Sequence, residues 1–195
     1  MSRFTLSDLP LSGLKLVERQ RFGDSRGFLS RLFCAEELAA AGWHKSIAQV
    51  NYSHTSTCGT VRGMHFQLPP YAEMKLVSCL RGKVWDVAVD LRRNSPWYGK
   101  HVAAELSANN WQQLLIPAGF AHGFCTLEPD TVVLYKVDAF YSAPHDQGVR
   151  WDDPDLAIAW PVGSDAAILS EKDQHLPLLG AADAPFDYEV DNACD

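Results

Sequence analysis

The sequence predicts an all-β fold, and three features of the chain support that prediction. Short runs rich in valine, leucine, isoleucine and aromatic residues recur along its 195 residues, which is typical of strands. Glycines and prolines, 13 and 11 in number, stand between these runs and provide turns. Helical periodicity is scarce. Many short strands joined by turns are typical of a β-sandwich or a barrel.

The first element in chain order is a short helix over 35–41, which Gly42 ends by adopting a left-handed conformation. Strands are then expected at 45–52, 75–80, 83–91, 101–107, 112–116 and 131–138. A further short turn of helix is expected at 170–173.

Two of these strands flank Arg81 and Gly82, and this pattern predicts a hairpin that turns at Gly82. The second strand alternates in polarity. Its two faces are Val84, Asp86, Ala88 and Asp90 on one side, and Trp85, Val87, Val89 and Leu91 on the other. A polar residue that faces the inside of a barrel is costly unless it is paired or contacts a ligand.

Composition narrows the class of protein. The hydrophobic fraction of 47% and the length of the chain suit one ordinary globular domain. A net charge of −7 argues against a general nucleic-acid binder, although a small anionic ligand needs only a local cluster of cations. No run of 18 apolar residues and no secretory signal pattern is found, so we expect no membrane segment and a cytoplasmic protein.

The five cysteines are odd in number and widely spaced, without a C-x-x-C pair. This pattern argues against a disulfide framework and against a zinc site. We expect them to be small buried side chains in a reducing compartment.

Three segments place ionisable residues among apolar ones, namely 61–67, 115–124 and 132–137, with Tyr141 after the third. In a regular strand, the first segment would have Val61, Gly63, His65 and Gln67 on one face. In the second segment, Pro117 and Gly119 form a tight turn just before His122.

The Pro-x-Gly-x-x-His pattern that ends at His122 resembles the second motif of the cupin barrels. Metal-binding cupins also carry a His-x-His pair on an earlier strand, where this chain has His65-Phe66-Gln67. Two histidines alone leave a metal short of ligands, so we predict no metal and no cofactor. His122 fits a structural histidine and a ligand contact equally well.

The ordered set of motifs resembles the dTDP-4-dehydrorhamnose 3,5-epimerase family over roughly residues 14 to 177. The segments that carry the resemblance are Asp24-Ser25-Arg26-Gly27-Phe28, Gln49-Val50-Asn51, residues 62–67, Lys75-Leu76-Val77, residues 86–92, residues 116–124, Tyr135-Lys136, Trp151-Asp152-Asp153-Pro154 and Ser170-Glu171-Lys172-Asp173. Each is weak alone, but their joint order is specific.

The resemblance implies a cupin-type double-stranded β-helix, or jelly-roll barrel, with a few short helices. It implies one domain over 1–195, in which we expect 178–195 to form an irregular tail. The implied reaction inverts C3 and C5 of a dTDP-linked 4-keto-6-deoxy hexose, in the synthesis of deoxysugars for cell-surface polysaccharides. It also implies a homodimer that exchanges N-terminal segments, including Arg26 and Phe28.

The resemblance assigns four catalytic residues. A proton next to a ketone is removed from one face and replaced on the other, which requires a base, an acid and a stabilising group at the enolate oxygen. By resemblance, His65 is the base and Asp173 fixes its tautomer. Lys75 lies at the enolate oxygen, and Tyr135 is the acid on the opposite face.

The resemblance also implies a set of residues that bind the nucleotide diphosphate and the sugar, for which arginine forks are well suited. These are Arg26, Phe28, Gln49, Asn51, Arg62, His122 and Lys172. Taken singly, several site residues have ordinary explanations: Arg62 as a surface ion pair, Lys75 at a solvated strand edge, Tyr135 as a core tyrosine and Asp173 as a helix cap.

Two further substrate-binding positions depart from the family pattern. Arg31 stands where the family usually has a glutamate, which reverses the local charge. Asp146 stands for a second glutamate and has a shorter side chain. We therefore expect the reaction type to be kept, while the preference for the nucleotide or the sugar could have moved.

Four alternatives stay open. They are inversion at one carbon only, a keto-isomerase of the same barrel type, a nucleotide-sugar-binding cupin without activity, and a metal-dependent cupin oxygenase, which the missing ligand pair disfavours. The motif residues are shared between one-carbon and two-carbon epimerases, so the sequence does not separate these two.

Overall fold

The computed structural model describes residues 2–188. In chain order its elements are β1 (Phe4–Asp8), β2 (Lys15–Arg19), β3 (Arg21–Asp24), β4 (Gly27–Ser30), α1 (Ala35–Ala39), β5 (Gln49–Thr55), β6 (Val61–Gln67), β7 (Lys75–Arg81), β8 (Lys83–Asp90), β9 (Arg92–Arg93), β10 (His101–Ser107), β11 (Gln112–Ile116), β12 (Phe120–Thr126), β13 (Thr131–Val137), β14 (Asp146–Gly148), α2 (Glu171–Gln174) and β15 (Phe186–Asp187). Two short 3-10 turns lie at Ala143–His145 and Leu179–Ala181.

Two antiparallel sheets form the barrel. The six-stranded sheet has the order β1-β2-β11-β7-β13-β5, and the five-stranded sheet has the order β10-β8-β12-β6-β14. The main core lies between them and includes Val77, Leu114 and Val133 from the first sheet and Val84 and Phe124 from the second. This architecture confirms the predicted all-β jelly-roll fold with a few short helices.

The outer face of each sheet is also covered in part. α1 buries Leu38 against Leu76 and Leu115 on the six-stranded sheet. Behind the five-stranded sheet, Val87 and Leu91 pack against Phe186. The alternation predicted for β8 is therefore correct, because Val84 and Val87 point to cores on opposite sides of the strand.

The predicted hairpin at Gly82 is wrong. β7 pairs with β11 and β13, whereas β8 pairs with β10 and β12, so the chain crosses from one sheet to the other at this turn. Gly82 has a φ of +73°, and a Cβ there would lie 2.3 Å from Thr131 Oγ1, which explains why the corner requires glycine. Both arms read as strands because both are buried, but local pattern does not reveal their partners.

Both predicted helices are present, although the first ends two residues earlier than predicted, at Ala39. Gly42, just beyond it, has a φ of +95°. The strand predicted over 45–52 is observed three to four residues later, at Gln49–Thr55. The segment before this strand lies outside the sheet. In it, Ile47 packs against the hydrophobic cluster that includes Leu38 of α1.

The C-terminal part of the chain packs on the barrel as far as it is described. β15 pairs in parallel with β9, and Leu179, Ala184 and Phe186 are buried. The described part of the predicted tail, residues 178–188, therefore packs against the outer face of the five-stranded sheet. Residues 189–195 of that tail lie outside the described residues. That residues 1–195 form one domain stays a prediction. No helix among the described residues has the length and apolar character that a membrane crossing requires.

Candidate active site

A cavity of about 560 Å³ opens at one end of the barrel, between the two sheets. Ten residues that the sequence analysis selected line it: Gln49, Asn51, Arg62, His65, Lys75, His122, Tyr135, Asp146, Lys172 and Asp173. They come from six strands and from α2, so the fold gathers side chains that are far apart in the sequence.

The pairing of β6 with β12 contains an irregularity that shapes this cavity. His65 pairs with His122 and Arg62 pairs with Phe124, so Gly63 and Met64 together oppose Gly123 alone. One extra residue on a strand shifts the side to which its neighbours point. Arg62 and His65 therefore both line the cavity, although they are three residues apart.

This bulge corrects the prediction that regular alternation holds from Val61 to Gln67. It also explains two glycines, since the strands approach too closely for side chains. A Cβ on Gly63 would lie 2.5 Å from the Cα of Gly123, and a Cβ on Gly123 would lie 2.7 Å from the carbonyl oxygen of Arg62.

His65 is hydrogen-bonded to Asp173. The distance between His65 Nε2 and Asp173 Oδ1 is 2.7 Å, and the second oxygen of Asp173 accepts a hydrogen bond from the Gly63 N–H at 3.2 Å. Ser170 caps α2 by accepting a hydrogen bond from the Asp173 N–H at 3.1 Å, which holds the carboxylate in place. The His65 side chain is 31% exposed, so its ring is open to the cavity, whereas Asp173 is buried.

The charge state of Asp173 follows from these contacts. Burial raises the pKa of this carboxyl, but the hydrogen bond and charge of His65, with the Gly63 N–H, outweigh burial and hold the pKa below its ordinary value. The Asp173 carboxylate is thus a stable anion beside the imidazole.

His122 belongs to a second His–Asp pair. Its Nε2 lies 2.9 Å from Asp86 Oδ1, and Asp86 is fully buried. His122 is 7% exposed and contributes its ring to the cavity wall. The two readings that the sequence left open are therefore compatible, because this histidine has a structural partner and also borders the cavity.

Lys75 forms an ion pair with Glu73, a cavity residue that the sequence analysis missed. The distance between Lys75 Nζ and Glu73 Oε1 is 3.1 Å. Gln67 Nε2 donates a hydrogen bond to the other oxygen of Glu73 at 3.2 Å. Lys75 is buried, so it is not the solvated strand-edge residue that was the ordinary alternative.

The Tyr135 side chain lines the cavity. Burial raises the pKa of Tyr135, and the charge of Glu73 raises it further. The phenol is therefore protonated at neutral pH and can donate to a bound molecule.

Asp146 connects α2 to the segment after β13 at the mouth of the cavity. Its Oδ2 lies 2.6 Å from Lys172 Nζ and accepts a hydrogen bond from the Tyr141 hydroxyl at 3.0 Å. Arg62 Nε donates to Thr55 Oγ1 at 3.1 Å, which orients the guanidinium at the side of the cavity.

Three predicted binding residues lie away from this cavity. Arg26 pairs with Asp24 in the exposed β3–β4 hairpin, and Phe28 is 57% exposed there. Arg31 pairs with Glu37 of α1 at 2.5 Å. Within one chain, the Arg31 guanidinium is therefore paired with the Glu37 carboxylate of α1, and Arg31 does not line the cavity.

The sequence pattern indicates a role for Asp86 but not for Glu73. Asp86 stands at an inward position of an apolar strand, and a buried acid of this kind signals a paired or functional group. Glu73 lies in the loop before β7 and follows no periodicity. Within residues 2–188, no group of three or more His, Cys, Asp or Glu side chains is placed to hold a metal ion.

Known proteins are similar to this chain in sequence and in fold. The family model of dTDP-4-dehydrorhamnose 3,5-epimerase matches residues 8–181. A dTDP-4-dehydrorhamnose 3,5-epimerase of Sinorhizobium fredii (strain NBRC 101917 / NGR234) is 49% identical over 180 residues, which is 92% of each chain.

Two crystal structures resemble the chain closely. The dTDP-4-dehydrorhamnose 3,5-epimerase of Bacillus anthracis, with TDP and PPi bound, is 47% identical with a TM-score of 0.86 and covers 90% of this chain and 99% of its own. The dTDP-6-deoxy-D-glucose-3,5-epimerase of Legionella pneumophila, in complex with dTDP-4-keto-L-rhamnose, is 36% identical with a TM-score of 0.91 and covers 96% of this chain and 100% of its own.

Proposed function

The chain belongs to the dTDP-4-dehydrorhamnose 3,5-epimerase family, and from this premise we propose how its cavity performs the reaction. It is an isomerase that inverts C3 and C5 of a dTDP-linked 4-keto-6-deoxy hexose in dTDP-rhamnose biosynthesis. The observation that carries the mechanism is the His65–Asp173 pair, which is open to the cavity that the Tyr135 phenol also lines.

We assign the base to His65. A C–H next to a ketone is weakly acidic because the carbanion is an enolate, and a neutral imidazole beside it accepts the proton. Asp173 fixes the ring and stabilises the imidazolium that forms, since its carboxylate lies 2.7 Å from Nε2. The proton moves to His65, and the electron pair moves to the ketone oxygen.

The enolate and the returning proton require groups on the other sheet. Lys75, on β7, places a cation in the cavity wall, where it stabilises the negative oxygen. Tyr135, on β13, donates its phenol proton to the carbon from the face opposite His65. The imidazolium and the phenolate then exchange protons with water, which restores both for the second carbon.

Substrate binding is assigned to the polar residues around these groups. Arg62 and Lys172 supply positive charge for the diphosphate, and Gln49 and Asn51 on β5 supply amides for the sugar. His122 and Asp146 border the same cavity. All steps are proton transfers among side chains, the sugar and water, so the proposal includes no cofactor.

We propose that the chain acts as a homodimer in which the β3–β4 hairpin of one copy completes the site of the other. Arg26 and Phe28 are exposed on this hairpin, and Leu29 beside them is 67% exposed. On β5, Val50 and Tyr52 are 55% and 68% exposed and offer an apolar surface for a second copy.

Mixing two inactive variants tests this exchange. His65→Ala and Arg26→Ala copies, combined after refolding together, would form mixed dimers in which one site has both residues intact. Recovery of activity on mixing is expected. If activity stays at the sum of the two separate variants, the hairpin does not serve the other copy's site.

Deuterium exchange tests the reaction itself. Incubation with dTDP-4-keto-6-deoxyglucose in D2O, followed by proton NMR, is expected to show deuterium at both C3 and C5. Deuterium at one carbon would make the chain a single-carbon epimerase, and binding without exchange would make it a binding protein. Parallel GDP- and CDP-linked substrates measure nucleotide preference, and equal or better turnover of the thymidine-linked sugar rules out a moved preference.

A further inference from the structure

Glu73 is held in the cavity wall from two sides. One oxygen contacts Lys75 Nζ at 3.1 Å, and the other accepts a hydrogen bond from Gln67 Nε2 at 3.2 Å. The Glu73 side chain is 12% exposed. The next residue is fixed as well, because the Met74 N–H donates to Asp138 Oδ1 at 2.7 Å.

Gln67 is a rigid anchor for this carboxylate. Its Nε2 also donates to the carbonyl oxygens of Tyr71 and Phe140, at 3.1 and 3.2 Å, and its Oε1 accepts from the Ser142 N–H at 2.7 Å. Gln67 is 3% exposed. The position of Glu73 is thus set by the fold, so the carboxylate determines where the Lys75 ammonium lies.

Glu73 also sets the charge balance of the two groups that act on the sugar. Glu73 is the anion beside the buried Lys75 ammonium. Charged neighbours of Tyr135 are Glu73 and Asp146, which oppose ionisation of the phenol, and Arg62, which promotes it. Burial is the largest influence on Tyr135, and Glu73 is the largest among the charges.

We propose that Glu73 is a positioning residue of the epimerase, which fixes the Lys75 ammonium in the cavity wall through their ion pair and places a negative charge near the Tyr135 phenol. This inference rests on the proposed roles of Lys75 and Tyr135. Glu73 does not need to contact the sugar, since it acts through its two neighbours.

Substitution of Glu73 by glutamine tests the charge while it keeps the size and a hydrogen-bonding oxygen. In Glu73→Gln, kcat at pH 7 is expected to fall about tenfold, with KM within about threefold, because Lys75 loses its counter-ion. The alkaline limb of the kcat profile is expected to move to lower pH by about one unit. Glu73→Asp restores the charge and is expected to recover most of both losses.

A matched control is Glu105→Gln, since Glu105 pairs with Lys83 on the barrel surface at 3.3 Å. It is expected to leave the profile unchanged. If the pH profile of Glu73→Gln superimposes on that of the unsubstituted protein, or if only KM rises, Glu73 has no positioning role.

A second measurement does not depend on turnover. NMR titration of protein labelled with ¹³C at tyrosine Cζ, with Tyr135→Phe to assign the signal among six tyrosines, reports ionisation of the phenol directly. Tyr135 is expected to ionise at lower pH in Glu73→Gln than in the unsubstituted protein. If the titration of Tyr135 is the same in Glu73→Gln and in the unsubstituted protein, the inference is overturned even if the enzyme is active. If no deuterium exchange occurs, the proposed function is overturned, but the tyrosine titration can still be measured.

Discussion

Tyr135 and Lys136 are neighbours on β13 and point to opposite sides of the six-stranded sheet. On the Tyr135 side, three basic groups of the cavity have an acid beside them: His65 lies beside Asp173, His122 beside Asp86, and Lys75 beside Glu73. On the other side, Lys136 is 6% exposed, and within residues 2–188 its Nζ has no hydrogen-bond partner.

The charge that acts on Lys136 has the same sign. Arg19 on β2 is also 6% exposed, and its Nε has no partner among the described residues. Burial, and to a smaller extent the charge of Arg19, lowers the pKa of Lys136 to about 8. Paired ions can be kept charged for chemistry, whereas unpaired ones cost stability. Substitutions on the two sides should therefore have opposite consequences.

The largest effect is expected for the base. His65→Ala should lower the rate of deuterium exchange at C3 and C5 by about 10³-fold or more, because it removes the group that we assign as the base. His44→Ala, at an exposed position, is the matched control. NMR in D2O measures both. Exchange by His65→Ala within tenfold of the unsubstituted rate would contradict the assignment.

Neutralising the acid of each His–Asp pair should have a different effect on kcat for the two pairs. Asp173→Asn should lower kcat by about 10²-fold, because the His65 ring loses its tautomer and its counter-charge. Asp86→Asn should lower kcat less than about tenfold and act mainly on stability, since His122 is not the base. Steady-state kinetics and urea unfolding of both variants measure the difference, and equal losses of kcat would remove the distinction between the pairs.

The Asp173 contribution to stability has a defined pH dependence. The folded pKa lies below the unfolded one, so the contribution is complete above the unfolded carboxyl value of about 3.9 and is lost as pH falls through the folded pKa. The difference in unfolding free energy between Asp173→Asn and the unsubstituted protein should therefore shrink below about pH 4. A difference that is constant from pH 7 to pH 3 would show that Asp173 does not act through its charge.

The sequence predicted the inner and outer faces of single strands well, because alternation depends only on burial. It failed where the outcome depends on a partner strand. The turn at Gly82 suits a hairpin and a corner equally, and only the sheet order shows that β7 and β8 are apart. Arg62 reaches the cavity through a bulge, which one extra residue creates without any mark in the polarity pattern.

In the candidate site, too, the sequence pattern indicates single residues but not their partners. Asp173 lies 108 residues after His65, so spacing alone does not pair them, and the resemblance to a family brought them together. Asp86 was visible as an acid inside an apolar strand, but its partner was not. Glu73 was missed because a loop has no period, and its ion pair with Lys75 depends on the anchor at Gln67.

The smallest effect on catalysis is expected for substitution of Lys136, which lies on the side of the six-stranded sheet away from the cavity. Lys136→Met keeps the length and apolar stem of the side chain and removes the unpaired charge. At pH 7 it should raise the free energy of unfolding by on the order of 2–3 kcal/mol and leave kcat unchanged, since Lys136 does not border the cavity. Lys100→Met, at an exposed position, is the control.

The pH dependence gives the sharper measurement. The unfolded chain binds the Lys136 proton up to about pH 10.5 and the folded chain only up to about pH 8, so the unsubstituted protein gains stability as pH rises between these values. Lys136→Met should lose this gain, and the two curves from urea unfolding should converge near pH 10. If Lys136→Met is the less stable protein at pH 7 and its slope with pH is unchanged, then Lys136 has an anionic partner in the assembled protein. The contrast between the two sides of β13 would then hold only for the separate chain.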